Sequence, residues 1–238
     1  MAKGKKFWIY GKHAVRAAVL NEDRQVFKVV VLPQNRDFLS DLSVKIEVVD
    51  KGHFMSLFGK DVIHQGCAAQ VLPLDEVYLE DLPNDDRPIV FLDQVTDPQN
   101  IGSILRASAV FGAKAVVLPE VNAPEVTAVI AKVASGALET VPLIKVKNLV
   151  QSIKMLKNSG YWCLGLDERG DKKIGEMDLS GKFLLVIGSE GQGMRRLTRE
   201  NCDFLVQLPS VGGFSTLNAA QAATVSLYEI LRQKGSKS

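Results

Sequence analysis

Apolar and polar positions fall into two rhythms along the chain. Over residues 12–20 (KHAVRAAVL) apolar residues recur at helical spacing, whereas residues 26–32 and 45–49 are short apolar runs that read as buried strands. The segment ending in His64, Gln65 and Gly66 leads into a last apolar run at 67–72. Together these elements predict a small αβ domain over residues 1–73. Residues 74–87 (LDEVYLEDLPNDDR) then crowd acidic side chains around Pro83, a composition that packs poorly and reads as a domain linker. Beyond it the rhythm becomes strand, glycine-bearing loop, helix, strand, starting with 89–93, 102–111 and 115–118. Further strands are expected at 139–143, 161–166, 183–187 and 204–208, with a closing helix at 217–232. That alternation predicts a parallel α/β sheet over residues 88–238.

Composition narrows the classes. In 238 residues, 46% are hydrophobic and 24% charged, and 29 Lys and Arg against 27 Asp and Glu leave a net charge of +2. This is a folded globular chain rather than a disordered one. No apolar run approaches the roughly 18 residues of a membrane span, and the start, MAKGKKFWIYGKH, resembles neither a secretory signal nor an anchor. Cys67, Cys163 and Cys202 are far apart, with no second Cys or His at ligand spacing, so reduced cytosolic thiols and no metal site are expected. The small net charge hides a basic arm. Lys3, Lys5, Lys6, Lys12 and Arg16 occur among the first sixteen residues without an acidic one, suited to a polyphosphate partner or to a solubilising tail. Arg195, Arg196 and Arg199 form a second basic group.

In open α/β sheets ligands bind beyond the carboxyl ends of the strands, which directs attention to three loops. In the first, FLDQVTDPQNIGSILRASAVFGA, Asp97-Pro98 makes a turn, Asn100 stands near the start of a helix, Gly102 permits close approach, and Arg106 follows on the helix. In the second, LLVIGSEGQGMRRLTRE, an apolar strand enters Gly188, Ser189, Glu190, Gly191, Gln192 and Gly193. This is neither a dinucleotide fingerprint nor a P-loop, which disfavours an oxidoreductase and an NTPase. Glu190, between small residues, suits hydrogen bonding to a ribose or amine, or to backbone donors of the turn itself. In the third, Pro209 and Gly212-Gly213 precede Ser215-Thr216-Leu217-Asn218 at the head of an Ala-rich helix, where each polar residue is also a good N-cap.

The three loops in this order resemble the three motifs of the SpoU/TrmH family of S-adenosylmethionine-dependent RNA ribose 2′-O-methyltransferases. Asn100 with Arg106 matches the first motif, the 188–193 loop with Glu190 the second, and Thr216-Leu217-Asn218 the third. YGKHAVRAAV and HQG resemble the family's small L30e-like RNA-recognition domain, so the likeness covers nearly the whole chain. MRRLTRE resembles the family members that methylate a guanosine ribose in the peptidyl-transferase P loop of 23S ribosomal RNA. The resemblance implies a SPOUT methyltransferase domain with a deep trefoil knot, a cytoplasmic homodimer, and S-adenosylmethionine held by Gly188, Gly191, Leu208, Thr216 and Leu217. It implies Arg106 as the central catalytic residue, with Asn100, Glu190 and Asn218 orienting ribose and Arg106. A guanidinium stays charged in proteins, so phosphate binding and alkoxide stabilisation fit Arg106 better than proton abstraction. RNA contacts fall to Lys5, Lys6, Lys12 and Arg16, and to Arg195 and Arg196. Transfer RNA as substrate, or an inactive RNA-binding protein, are the competing implications. Where the family commonly has a Ser in SLN and a Val-Ser pair after it, this chain has Thr216 and Ala219-Ala220.

Overall fold

The computed structural model describes residues 5–121, 124–211 and 217–235. In chain order the elements are β1 (Phe7–Tyr10), α1 (Lys12–Leu20), β2 (Val26–Val31), β3 (Ile46–Val48), α2 (Lys51–Phe58), β4 (Cys67–Val71), β5 (Ile89–Asp93), α3 (Pro98–Val110) and β6 (Ala115–Pro119). They continue with α4 (Ala128–Ala134), β7 (Leu143–Val146), α5 (Leu149–Asn158), β8 (Trp162–Leu166), β9 (Lys172–Lys173), β10 (Phe183–Gly188), α6 (Arg196–Glu200), β11 (Phe204–Gln207) and α7 (Ala219–Gly235). They divide into two compact units, residues 1–75 with 125–140, and residues 76–124 with 141–238.

The first unit is a four-stranded sheet in the order β1-β4-β2-β3, antiparallel except for the β2–β3 pair. The HQG turn serves this fold directly. Gly66 has φ +69°, and a Cβ there would lie 2.6 Å from the Asn35 amide nitrogen, while Gln65 Oε1 accepts from the Lys12 backbone N–H at the head of α1 (3.0 Å). Residues 125–140, expected within the second domain, complete this unit instead. Arg24 donates to both Glu139 oxygens (2.9 and 2.8 Å) and to Leu72 O (2.7 Å), and the paired side chains are only 1% and 5% exposed. Gly136 packs against Ala17 of α1 with no room for a Cβ. The strand expected at 139–143 therefore begins only at Leu143, because residues 137–139 form a tight turn that presents Glu139 to Arg24.

The second unit is a seven-stranded, wholly parallel sheet in the order β7-β6-β5-β10-β8-β11-β9. Alternate residues of its strands, among them Ile89, Phe91, Leu184 and Val186, face α5 through Leu149, Ile153 and Leu156. The helices α3 and α7 pack together, with Ile101, Ile104 and Leu105 of one and Ala223, Leu227 and Ile230 of the other buried. Strands leave β5 in one direction through β6 and β7, and in the other through β10, β8 and β11. The switch point therefore lies between β5 and β10, with every carboxyl end on one edge.

The acidic stretch is not free spacer throughout. The buried Lys114 ammonium donates to Pro83 O, Asp85 O and the Tyr161 hydroxyl and pairs with Asp85 (2.8 Å), while Lys182 reaches Asn84 and Lys234 reaches Asp86. Lys114 and Lys234 thus give Asp85 and Asp86 partners, and Lys182 ties down Asn84 between them and Pro83. The helix expected from residue 102 starts earlier, since Asp97 caps it by accepting from Gln99 N (3.0 Å) and Pro98 fits its first turn. Among the described residues, no helix is long and apolar enough to cross a membrane.

Candidate active site

At the carboxyl edge of the parallel sheet, β10 ends in Gly188 and the chain folds back on itself. Ser189 and Gly193 exchange two backbone hydrogen bonds (3.1 and 2.9 Å), and a Cβ on Gly188 would lie 2.2 Å from the Gly193 carbonyl carbon. Only glycine fits at 188. Gly191 and Gly193 adopt φ of +80° and +68°, which shapes the turn that carries Glu190 outward.

Asn100, in the first turn of α3, donates from Nδ2 to Glu190 Oε1 (2.9 Å) across ninety residues of sequence. Both line a cleft of about 620 Å³ with Asp97, Gln99, Ser103, Asn218, Gln221 and Thr224. Asn218 heads α7, where its Oδ1 accepts from Gln221 N (2.8 Å) and its own N–H is returned to Gln221 Oε1 (3.3 Å). The capping reading of Asn218 thus holds, and its amide nitrogen remains as a donor beside the cleft. With Asn100 Oδ1 and Glu190 Oε2 as acceptors, the cleft offers neutral amides and the carboxylates of Glu190 and of Asp97, which also caps α3, a set suited to hydroxyl groups.

Arg106 does not line the cleft, but it continues the Gln99 and Ser103 stripe of α3 at spacings of seven and three residues. It is exposed and makes no hydrogen bond or ion pair with the described residues. Asn100 and Glu190 bond to each other rather than to Arg106. A guanidinium that is exposed and without a partner among the described residues is available for a phosphate.

Gly188 ends β10 and Leu208 follows β11, and the two strands flank β8, so their loops emerge two strand spacings apart, about 10 Å. Leu208 is half-buried and Leu217 is 47% exposed; Thr216 lies outside the described residues. The loop that no Cβ would fit at Gly188, and that leaves open space above Gly191, suits a ligand held by backbone groups, as S-adenosylmethionine would be.

The basic residues divide by partner. Lys5 and Lys6 are exposed, with Lys6 Nζ 3.6 Å from the centre of the Phe27 ring, and Lys12 Nζ is 5.5 Å from that of Phe38. Arg16 is paired with Asp41 (2.9 and 2.5 Å) and Arg196 with Glu200 (2.6 Å). Arg195 is held by a residue that sequence reasoning passed over. Asp93, fully buried at the end of β5, accepts from Arg195 N (2.8 Å) and Nε (2.7 Å). An acid ending an otherwise apolar strand beside a ligand loop was the signal available. The three thiols are free; burial pushes Cys67 up to about 12, and the Cys202 side chain together with burial raises Cys163, so neither of these two is a nucleophile.

The sequence profile of the SpoU rRNA Methylase family matches residues 87–228, and that of RNA 2′-O ribose methyltransferase substrate binding matches residues 8–77. The 23S rRNA (guanosine-2′-O-)-methyltransferase RlmB of Yersinia pestis is 38% identical over 242 residues, covering 96% of this chain and 98% of that one. The protein of the same name from Pseudomonas aeruginosa is also 38% identical, covering 97% and 89%. Among solved structures, the SpoU methyltransferase AviRb from Streptomyces viridochromogenes, in complex with AdoMet, has a TM-score of 0.81 at 27% identity, covering 97% of this chain and 91% of that one. The chain belongs to the SpoU rRNA methylase family.

Proposed function

We propose that this protein transfers a methyl group from S-adenosylmethionine to the ribose 2′-hydroxyl of a guanosine in 23S ribosomal RNA. One observation carries the reading: a chain 38% identical to enzymes of that name brings Asn100 and Glu190 into hydrogen-bond contact beside Asn218, at the carboxyl edge of its sheet. The bound cofactor supplies an electrophilic methyl group. Gly188, Gly191, Leu208, Thr216 and Leu217 hold it, mainly through backbone groups. The ribose enters the cleft, where Glu190 Oε2 accepts from a hydroxyl and Asn100 and Asn218 fix its orientation. Arg106 binds the adjacent phosphate and stabilises charge on the oxygen as its proton passes to solvent and the C–O bond forms while the cofactor's S–CH3 bond breaks, leaving the neutral thioether; the effect is one of positioning and charge. Lys5, Lys6 and Lys12 supply sequence-independent attraction for the RNA backbone.

The reaction takes place in the cytoplasm, and we read the enzyme as a homodimer. On α7, Val225, Tyr228 and Leu231 are 43%, 53% and 45% exposed at three-residue steps, and Val110 of α3 is 66% exposed. That apolar stripe suits a second copy, and Tyr228→Glu is expected to yield a monomer in sedimentation. The family's trefoil knot is likewise part of this reading. It is supported by β10 lying between β5 and β8, and by backbone of Leu205 and Val206 within 2.8 Å of where a Gly170 Cβ would stand.

The test is transfer of labelled methyl to unmodified 23S RNA and, separately, to unmodified transfer RNA. Label in 23S RNA that disappears with Arg106→Ala is expected. Label in transfer RNA alone would overturn the substrate and keep the chemistry.

A further inference from the structure

We infer that Asp93 is a positioning residue for the cofactor loop, clasping both ends of residues 188–195 so that the loop has its receiving shape before S-adenosylmethionine arrives. The inference rests on the function proposed above. Asp93 stands at the switch point of the sheet, and its backbone is in register with Gly188, the residue that opens the loop. Its side chain closes the other end. One carboxylate oxygen accepts from the Arg195 backbone N–H (2.8 Å) and the other from Arg195 Nε (2.7 Å). Both acceptors are charged, aligned with separate donors of one residue, and fully shielded from water.

Met194 is buried in the core at the loop's far end, and between it and Gly188 the loop has few other restraints among the described residues. Its base is the Ser189–Gly193 pair, its tip is tied to α3 only by Asn100 and Glu190, and Gly191 and Gln192 are exposed. With two glycines at positive φ, an unclasped loop has many conformations to lose on binding, and that loss weakens a ligand held by backbone groups. An amide at 93 would turn one acceptor into a donor facing a donor. Arg195 then belongs to the cofactor loop rather than to the RNA surface: half of its side chain is exposed, yet its orientation is fixed from below by Asp93.

The experiment measures S-adenosylmethionine affinity by calorimetry and 23S RNA affinity by filter binding, for the wild type, Asp93→Asn, Arg195→Ala and the double variant, all checked as folded by circular dichroism. Each single variant is expected to weaken the cofactor by about 10- to 100-fold, the range for losing a hydrogen bond to a charged group. RNA affinity stays unchanged, the loss appears in KM for the cofactor rather than in kcat, and the double variant is no weaker than the worse single one. Arg195→Ala keeps the measurement decisive should Asp93→Asn fail to fold. Wild-type cofactor affinity in a folded Asp93→Asn protein, or loss of RNA affinity alone in Arg195→Ala, overturns the clasp. A wild type that does not bind the cofactor overturns the proposed function instead. Hydrogen exchange then decides the clasp: faster exchange at residues 189–194 than in β5 on Asp93→Asn supports it, and unchanged exchange refutes it.

Discussion

Glu139 and Asp93 each grip an arginine with both oxygens, and they are used differently. In the first unit, Glu139 and Arg24 are both buried, and Arg24 also donates to Leu72 O, while Asn21 adds a further bond to the carboxylate (2.9 Å). This cluster is closed, with its groups spent on joining residues 125–140 to α1 and β4. In the second unit, Asp93 is fully buried but Arg195 is 49% exposed and sits beside a ligand loop. The pair buried on both sides serves architecture, whereas the half-exposed one joins the end of β5 to the far end of the 188–195 loop. The chemistry of the bond is the same, and what each pair joins differs.

The comparison is broken most forcefully at the closed pair. Arg24→Ala leaves the Glu139 charge buried and unmatched and is expected to cost about 3–5 kcal/mol of stability in urea unfolding, with no change in the fold of the second unit by hydrogen exchange. A loss below about 1 kcal/mol, the level of an exposed pair, would erase the distinction. Next comes the open arginine of the site. Arg106→Ala is expected to lower kcat by about 10²- to 10³-fold, the scale for removing one preorganised charge-stabilising donor, with cofactor affinity unchanged. Arg106→Lys should recover part of the rate if charge matters, and little if the planar fork does.

Asn218 sharpens the same contrast within one side chain, because it both caps α7 and faces the cleft. Asn218→Ala should cost about 1 kcal/mol for the lost cap and lower the rate. Asn218→Asp keeps the cap while removing the amide donor, so normal melting with reduced turnover is expected. Equal turnover in Asn218→Asp would leave the residue a cap alone. The smallest effect concerns acid. Arg87, and after it Lys114, hold the Asp85 carboxyl well below the usual carboxylate range, and Lys234 lowers Asp86. A carboxyl depressed in the folded state contributes stability above its unfolded value of about 3.9 and loses it as pH falls through the folded one. Thermal melting should therefore drop below about pH 4, and less steeply in Lys114→Met. Both carboxylates are partly exposed, so the slope is modest.

The parallel sheet and its alternation of strands with glycine-bearing loops were legible because apolar runs ending in glycine or Asn have few other uses, whereas the meeting of Asn100, Glu190 and Asn218 was implied only by the resemblance of their loops to the family's motifs. Helices α2 and α4 were not legible, since short or weakly periodic segments draw their stability from packing rather than from pattern, while α5 carries a clear helical rhythm that the sequence reading passed over. The attachment of residues 125–140 to the first unit was hidden for a different reason. It depends on Arg24 and Glu139, 115 residues apart, and each looks like any surface charge in the sequence. Arg16, Arg195 and Arg196 looked like free cations for the same reason, and a count of basic residues does not reveal Asp41, Asp93 and Glu200 as their partners. Asp85 and Asp86 were read as linker because acidity without visible lysines suggests solvent.

The most direct test of the account is nucleoside analysis of 23S ribosomal RNA from cells lacking this protein, complemented with the wild type or with Arg106→Ala. The account predicts that 2′-O-methylguanosine at one site is absent in the deletion, returns with the wild type, and does not return with Arg106→Ala. Full restoration by Arg106→Ala, or an unchanged 23S RNA in the deletion, would contradict it.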